Sequence, residues 1–189
     1  MQEKCTSNKM ILSRYLQKMF SGWGLSLKGF LYNNKGEWLL LIQIILLLVL
    51  LFPGYPLVEL QITVYTISIF IGLAVLLIGI LLSLKAALNL GPSFTPLPEL
   101  KENSEIILDG SYKYFRHPLY RALIIISIGM SIYKLSLLHL VVTMLLSILL
   151  KKKAQKEEIN LVKKFPEYKN YQLNTPAISS SIKYLDWRK

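Results

Sequence analysis

Apolar residues in this chain are gathered into three long stretches rather than spread at the spacing of a soluble helix or strand. Trp38 to Phe52 is apolar except for Gln43, Ile62 to Leu84 carries no charge over 23 residues, and Ala122 to Leu150 is interrupted by Lys134 and His139. Such runs would aggregate in water, whereas a bilayer accepts them as helices. At about 1.5 Å per residue the first run covers roughly 23 Å, short for a bilayer unless its flanks extend it, while the second crosses easily. Gly72 and Gly79 in the second run allow a neighbouring helix to approach closely.

The third run decides the topology. As one straight helix it would be about 44 Å long and would leave Lys134 near the bilayer centre. Lys85, Lys101, Lys113, Arg116 and Arg121 precede it, and Lys151, Lys152 and Lys153 follow it. Basic flanks belong in the cytoplasm, so this run must cross an even number of times, as a hairpin turning near Tyr133-Lys134-Leu135. The same rule puts the uncharged 53–58 turn outside and the basic N-terminal tail inside. The expected fold is all-α: a polytopic membrane protein of about four transmembrane helices, the last two a short hairpin, with both termini cytoplasmic in the cell (inner) membrane.

On this reading residues 1–36 are a basic tail or interfacial helix, with Ile11, Leu12, Tyr15, Leu16 and Met19 near helical spacing. Residues 37–84 hold two spans, 85–121 form a cytoplasmic loop, 122–150 form the hairpin, and 151–189 form a cytoplasmic helix and tail. The 22 Lys and Arg against 11 Asp and Glu give a net charge of +11. Because this charge flanks apolar runs, membrane lipid headgroups are the expected partner and nucleic acid is not. Cys5 is the only cysteine, which excludes an internal disulfide and a thiolate zinc cluster. No signal peptide is expected, because the first apolar run begins only at Trp38 and no small-x-small cleavage site follows it.

Residues able to carry chemistry concentrate in the two cytoplasmic pieces. Gly110-Ser111-Tyr112-Lys113-Tyr114-Phe115-Arg116-His117-Pro118-Leu119-Tyr120 stands where the third span begins. Glu157-Glu158-Ile159-Asn160-Leu161, then Phe165-Pro166-Glu167-Tyr168 and Tyr171, stand just after the fourth returns. A hairpin brings both clusters out on the same side, within reach of each other. Each has a plain alternative: Arg and Tyr anchor span ends, and Lys153 with Glu157 forms an i,i+4 pair.

Taken together, Gly-x-Tyr-x-x-x-Arg-His-Pro-x-Tyr, Glu-Glu-x-x-Leu-x-x-x-Phe and Tyr-x-x-Tyr resemble the isoprenylcysteine carboxyl methyltransferase family and its wider phospholipid methyltransferase superfamily. The likeness runs over residues 85–176 and includes the Leu90-Gly91 and Thr95-Pro96-Leu97-Pro98 loop of prokaryotic-type members. It implies a cytoplasmic S-adenosyl-L-methionine pocket contacted by Ile107, Tyr112, His117, Pro118, Leu119, Tyr120, Glu157 and Glu158. It also implies Arg116 and Lys153 as catalytic residues and a lipophilic acceptor reaching the site from the bilayer. A carboxylate can accept hydrogen bonds from a ribose diol or amino group and offset a sulfonium charge. Tyrosine rings suit a partly polar nucleoside.

This chain departs from the family pattern in places. Lys153 stands where members acting on a prenylated carboxylate carry a substrate-facing Arg, losing the bidentate fork. Ala122 replaces a common Gly, and 165–168 is one residue shorter than the usual form. Two alternatives follow: an NADPH-dependent membrane reductase, because sterol reductases carry a similar Arg-His-Pro-x-Tyr run, or a non-catalytic membrane scaffold. No metal is expected, since His117 and His139 fall on opposite sides of the membrane.

Overall fold

The computed structural model describes Trp23 and residues 27–54 and 61–188, so the N-terminal stripe from Ile11 to Met19 and most of the 53–58 turn lie outside the described residues. Among the described residues the chain is helical with no strand: α1 (Leu27–Tyr32), α2 (Glu37–Val49), α3 (Ile62–Leu90), α4 (Pro118–Lys134), α5 (Leu137–Lys164) and α6 (Tyr168–Asn174). Short 3-10 turns stand at Gly91–Ser93, Gly110–Lys113 and Lys183–Leu185.

Helix lengths depart from the apolar runs in instructive ways. The first run is helical only as far as Val49, because its last three residues close in turns, Leu51 N–H to Leu48 O and Phe52 N–H to Val49 O. Conversely, α3 continues past Leu84 through good helix formers to Leu90, giving 29 residues. Among the described residues, one helix, Ile62–Ser93, is long and apolar enough to cross a membrane. Its apolar side chains are largely uncovered, with Phe70 69% and Leu77 57% exposed.

The C-terminal cytoplasmic helix expected to begin at Lys151 is not separate. It continues α5 without a break, so Glu157 and Glu158 ride the helix that forms one arm of the hairpin. Between α4 and α5, Leu135 takes a left-handed conformation (φ 46°) and Ser136 is extended. Lys134 at this corner is not stranded in an apolar medium. Its ammonium donates to the carbonyls of Leu50 (2.8 Å) and Phe52, in the turn that follows α2.

Packing pairs show that α3, α4 and α5 alternate in direction. A Cβ built on Gly72 would meet the Tyr133 backbone at 2.5 Å, one on Gly129 would meet Leu76 N at 2.6 Å, and one on Gly79 would meet Ile126 at 2.7 Å. These glycines let α3 and α4 touch backbone to backbone, the usual way helices associate without a hydrophobic gradient. Across the α4–α5 hairpin, Ser131 and Thr143 hydroxyls sit 3.0 Å apart near the turn, and His117 meets Glu158 at the far end. A core of Leu50, Ile124, Val142, Leu146 and Leu150 fills the bundle and takes in Ile178 and Leu185 from the C-terminal segment. The start of α4, the end of α3 and the C-terminal half of α5 therefore converge at one end.

Candidate active site

Two local features aim the Arg-His-Pro run. Pro118 has no N–H to give and a fixed φ, so it suits the first position of α4 and keeps His117 out of the helix. Gly110 adopts φ +56° and packs against Asn89, whose side-chain oxygen accepts the Ser111 N–H at 3.0 Å. Arg116 and His117 are then held by their own backbone, donating to the carbonyls of Pro176 (2.9 Å) and Ala177 (3.0 Å). Tyr171 closes the same turn by donating to the Tyr112 carbonyl.

The roof comes from the 91–109 loop, tied onto α5. Lys164 donates to Lys101 O at 2.9 Å, Glu102 O at 2.6 Å and Ser104 Oγ at 2.9 Å, and the Asn160 amide donates to Pro98 O at 3.1 Å. Between roof and helices lies an open cleft of about 760 Å³, a figure that includes solvent space at its mouth. Its walls mix apolar residues (Leu90, Leu97, Leu100, Ile106, Leu161) with Ser93, Thr95, Ser104 and Glu105.

Of the residues named from sequence, Ile107, Tyr112, Arg116, His117, Leu119, Tyr120 and Glu157 all line this cleft. Pro118 begins α4 and Glu158 lies behind the wall, so neither lines it. Lys153 lies one turn before Glu157 on α5, 1% exposed, donating to Gln43 Oε1 on α2 at 2.7 Å. Its ammonium also stands 5.4 Å from the centre of the Tyr120 ring. Tyr120 thus separates the cleft from Lys153, with its hydroxyl donating to Glu157.

His117 sits between two carboxylates, with Nε2 2.9 Å from Glu158 Oε1 and Nδ1 3.6 Å from Glu157 Oε2. Burial opposes its charged form, but hydrogen bonds to Glu157 and Glu158 outweigh that and lift its pKa above the ordinary imidazole value. Burial likewise disfavours the Glu158 anion, yet the hydrogen bond and charge of His117, the Arg116 charge and the Trp187 N–H hold its pKa below the usual carboxylate value. Arg116 Nη1 lies 3.0 Å from Glu158 Oε1, close enough for an ion pair but off the hydrogen-bonding direction. All three guanidinium nitrogens and the Tyr168 hydroxyl are buried against the cleft without a hydrogen-bond partner. Buried unpaired donors are costly, so they fit a site that a polar ligand completes.

Sequence reasoning missed several supporting residues. Gln172 and Trp187 both donate to Glu158 Oε2 at 2.7 Å, and no spacing rule links them to it. Gln43, partner of Lys153, did carry a signal as the polar residue inside an apolar run. Among the described residues no group of three or more His, Cys, Asp or Glu could hold a metal ion.

The fold and site define an all-helical chain with a polar cleft at one end of a helical hairpin, walled by tyrosines and carboxylates. The family model for the isoprenylcysteine carboxyl methyltransferase (ICMT) family matches residues 70–163, the stretch that builds α3, the roof, the hairpin and the paired glutamates. Among solved structures, the eukaryotic intramembrane Ras methyltransferase ICMT, without a monobody, matches with TM-score 0.56 and 28% identity over 63% of this chain. This chain belongs to the ICMT family. It covers 43% of the length of that solved relative. No curated protein matches it.

Proposed function

We propose that this protein is a multi-pass membrane methyltransferase that uses S-adenosyl-L-methionine to methylate a lipophilic acceptor at the cytoplasmic face. The observation that carries this reading is the meeting of the Arg-His-Pro-Leu-Tyr turn with Glu157, backed by Glu158, at one cleft in a member of the ICMT family. The chemistry of the lining fits such a donor. Glu157 offers a carboxylate to a diol or amino group, the Tyr112, Tyr120 and Tyr171 rings offer faces to a flat base, and the unpaired Arg116 and Tyr168 donors suit a carboxylate.

When bound, the cofactor supplies an already activated methyl group, so the protein mainly contributes orientation and a dry setting. Glu157, fixed by the Tyr120 hydroxyl, and His117, fixed by Glu158, hold the donor side of the cleft. Lys153, buried beyond Tyr120 against α2, supplies the positive charge for an acidic acceptor headgroup arriving between α2 and α5. A carboxylate acceptor is ionised at neutral pH and needs no base. The spans would be α2, α3 and the hairpin as far as Leu150, with the cleft, both termini and the lysine flank facing the cytoplasm. Exposed apolar side chains along α3 support this placement.

The test is calorimetric titration of the purified, folded protein with S-adenosylhomocysteine. Saturable binding that weakens at least tenfold in Glu157→Gln is expected, and no binding by the folded wild-type protein rejects the reading. Labelled methyl donor added to membranes from expressing and deleted cells then identifies the fraction that gains label.

A further inference from the structure

The last dozen residues lie beyond the stretch matched by the family model, yet they reach the centre of the site. After Pro176 and Ala177 pair with the Arg116 and His117 backbone, Ile178 and Leu185 bury in the bundle core, 1% and 5% exposed. Ile178 N–H donates to Leu185 O at 3.1 Å, closing a compact loop that returns the chain towards α5. Asp186 steadies the end of this loop, bonded by the Arg188 guanidinium at 2.6–3.1 Å. The result is a defined position for Trp187. Its indole N–H donates to Glu158 Oε2 at 2.7 Å, and its ring faces Arg116 at 5.5 Å and His117 at 6.0 Å.

Glu158 is the junction through which the cleft is held. Oε1 faces Arg116 and His117, and Oε2 takes the Gln172 and Trp187 donors. A carboxylate filled on both oxygens cannot rotate without losing a bond, so its grip on His117 is directional. We propose that Trp187 is a positioning residue of the cleft, acting through Glu158 to hold His117 and Arg116, and that the C-terminal segment is thereby part of the active site. The inference rests on the methyltransferase reading only for what the cleft binds, not for the coupling itself.

The charged and titratable groups facing Glu158 are His117 and Arg116 from the turn before α4, Tyr168 and Tyr171 from α6 and Glu157 on α5. The Lys151 ammonium stands 6.0 Å from the centre of the Trp187 ring. The indole donor favours the Glu158 anion. Its removal raises the folded-state pKa of Glu158 towards its unfolded value, so less stability remains to be lost as pH falls between the two values.

The experiment compares full-length wild type, Trp187→Phe and Trp187→His in detergent micelles. Phe keeps the ring but has no donor, and His keeps a ring N–H. Thermal unfolding is followed from pH 4 to 8 without ligand, and S-adenosylhomocysteine affinity is measured at each pH. The expected result for Trp187→Phe is a lower neutral-pH plateau with a shallower acid limb, and about tenfold weaker binding, in line with loss of a hydrogen bond to a charged group. Trp187→His restores the wild-type limb, and this arm decides the matter should the Phe variant not fold. An acid limb as steep in Trp187→Phe as in wild type, or equal weakening in both variants with no change in the limb, overturns the proposal. A shallower limb in Trp187→Phe, alongside a wild type that binds no S-adenosylhomocysteine, keeps the coupling and rejects the methyltransferase reading.

Discussion

Replacing Glu158 by Gln tests the centre of the structure. Glu158 is 2% exposed and stands 3.0 Å from an Arg116 guanidinium that is itself buried. It also accepts from His117 at 2.9 Å and from Gln172 and Trp187 at 2.7 Å each. Glutamine matches the shape but removes the negative charge and one acceptor oxygen. Its amide N–H₂ must then face either the Arg116–His117 pair or the Gln172–Trp187 pair, donor against donor. Breaking a buried ion pair by removing one partner costs about 3–5 kcal/mol, because the remaining charge stays uncompensated. At roughly 2–4 °C per kcal/mol for a chain of this size, the melting midpoint should fall by roughly 6–20 °C. Glu157→Gln provides the internal control. The Glu157 side chain is 17% exposed and bonds the Tyr120 hydroxyl, so its loss should lower stability by under about 1 kcal/mol while weakening S-adenosylhomocysteine binding. Thermal unfolding of both variants in one detergent, followed by tryptophan fluorescence, gives the comparison. A Glu158→Gln protein that melts with wild type, or a larger loss in Glu157→Gln, would refute the assignment of the inner glutamate as the structural junction.

Three further outcomes follow from the same geometry. The raised pKa of His117 means that the folded state binds its proton more tightly than the unfolded state. Its stabilisation is therefore fully present below about pH 6.5 and is lost as pH rises through the folded value, so His117→Asn should flatten that alkaline decline in stability-versus-pH curves. The contact of Gly129 with the Leu76 backbone leaves no room for a methyl group; Gly129→Ala should cost about 1–3 kcal/mol in chemical unfolding, and a neutral result would mean that α3 and α4 do not meet there. Cysteines placed singly at the exposed positions Lys113 and Lys152 should label from the same side of sealed vesicles, and labelling from opposite sides would separate the two halves of the cleft.

Sequence patterning was informative where chemistry is local. Uncharged runs mark apolar helices because backbone polar groups in lipid must be satisfied within the segment. Pro118 marks the start of α4 because it lacks an N–H, and Gly72 and Gly79 mark close helix contact because they lack a side chain. Residues one helical turn apart or within one tight loop, such as Tyr112, His117 and Tyr120, share a site by spacing alone. Tertiary structure alone decided the rest. It set Glu158 behind the cleft and Glu157 in its wall, because the pitch of α5 relative to α4 chooses which neighbour faces inward. It gave Lys134 the Leu50 carbonyl just past α2, Lys153 the amide of Gln43, and Glu158 the indole of Trp187, partners 84, 110 and 29 residues away. No periodicity encodes such pairs. They arise because a buried charge must find a complementary group wherever packing happens to bring one.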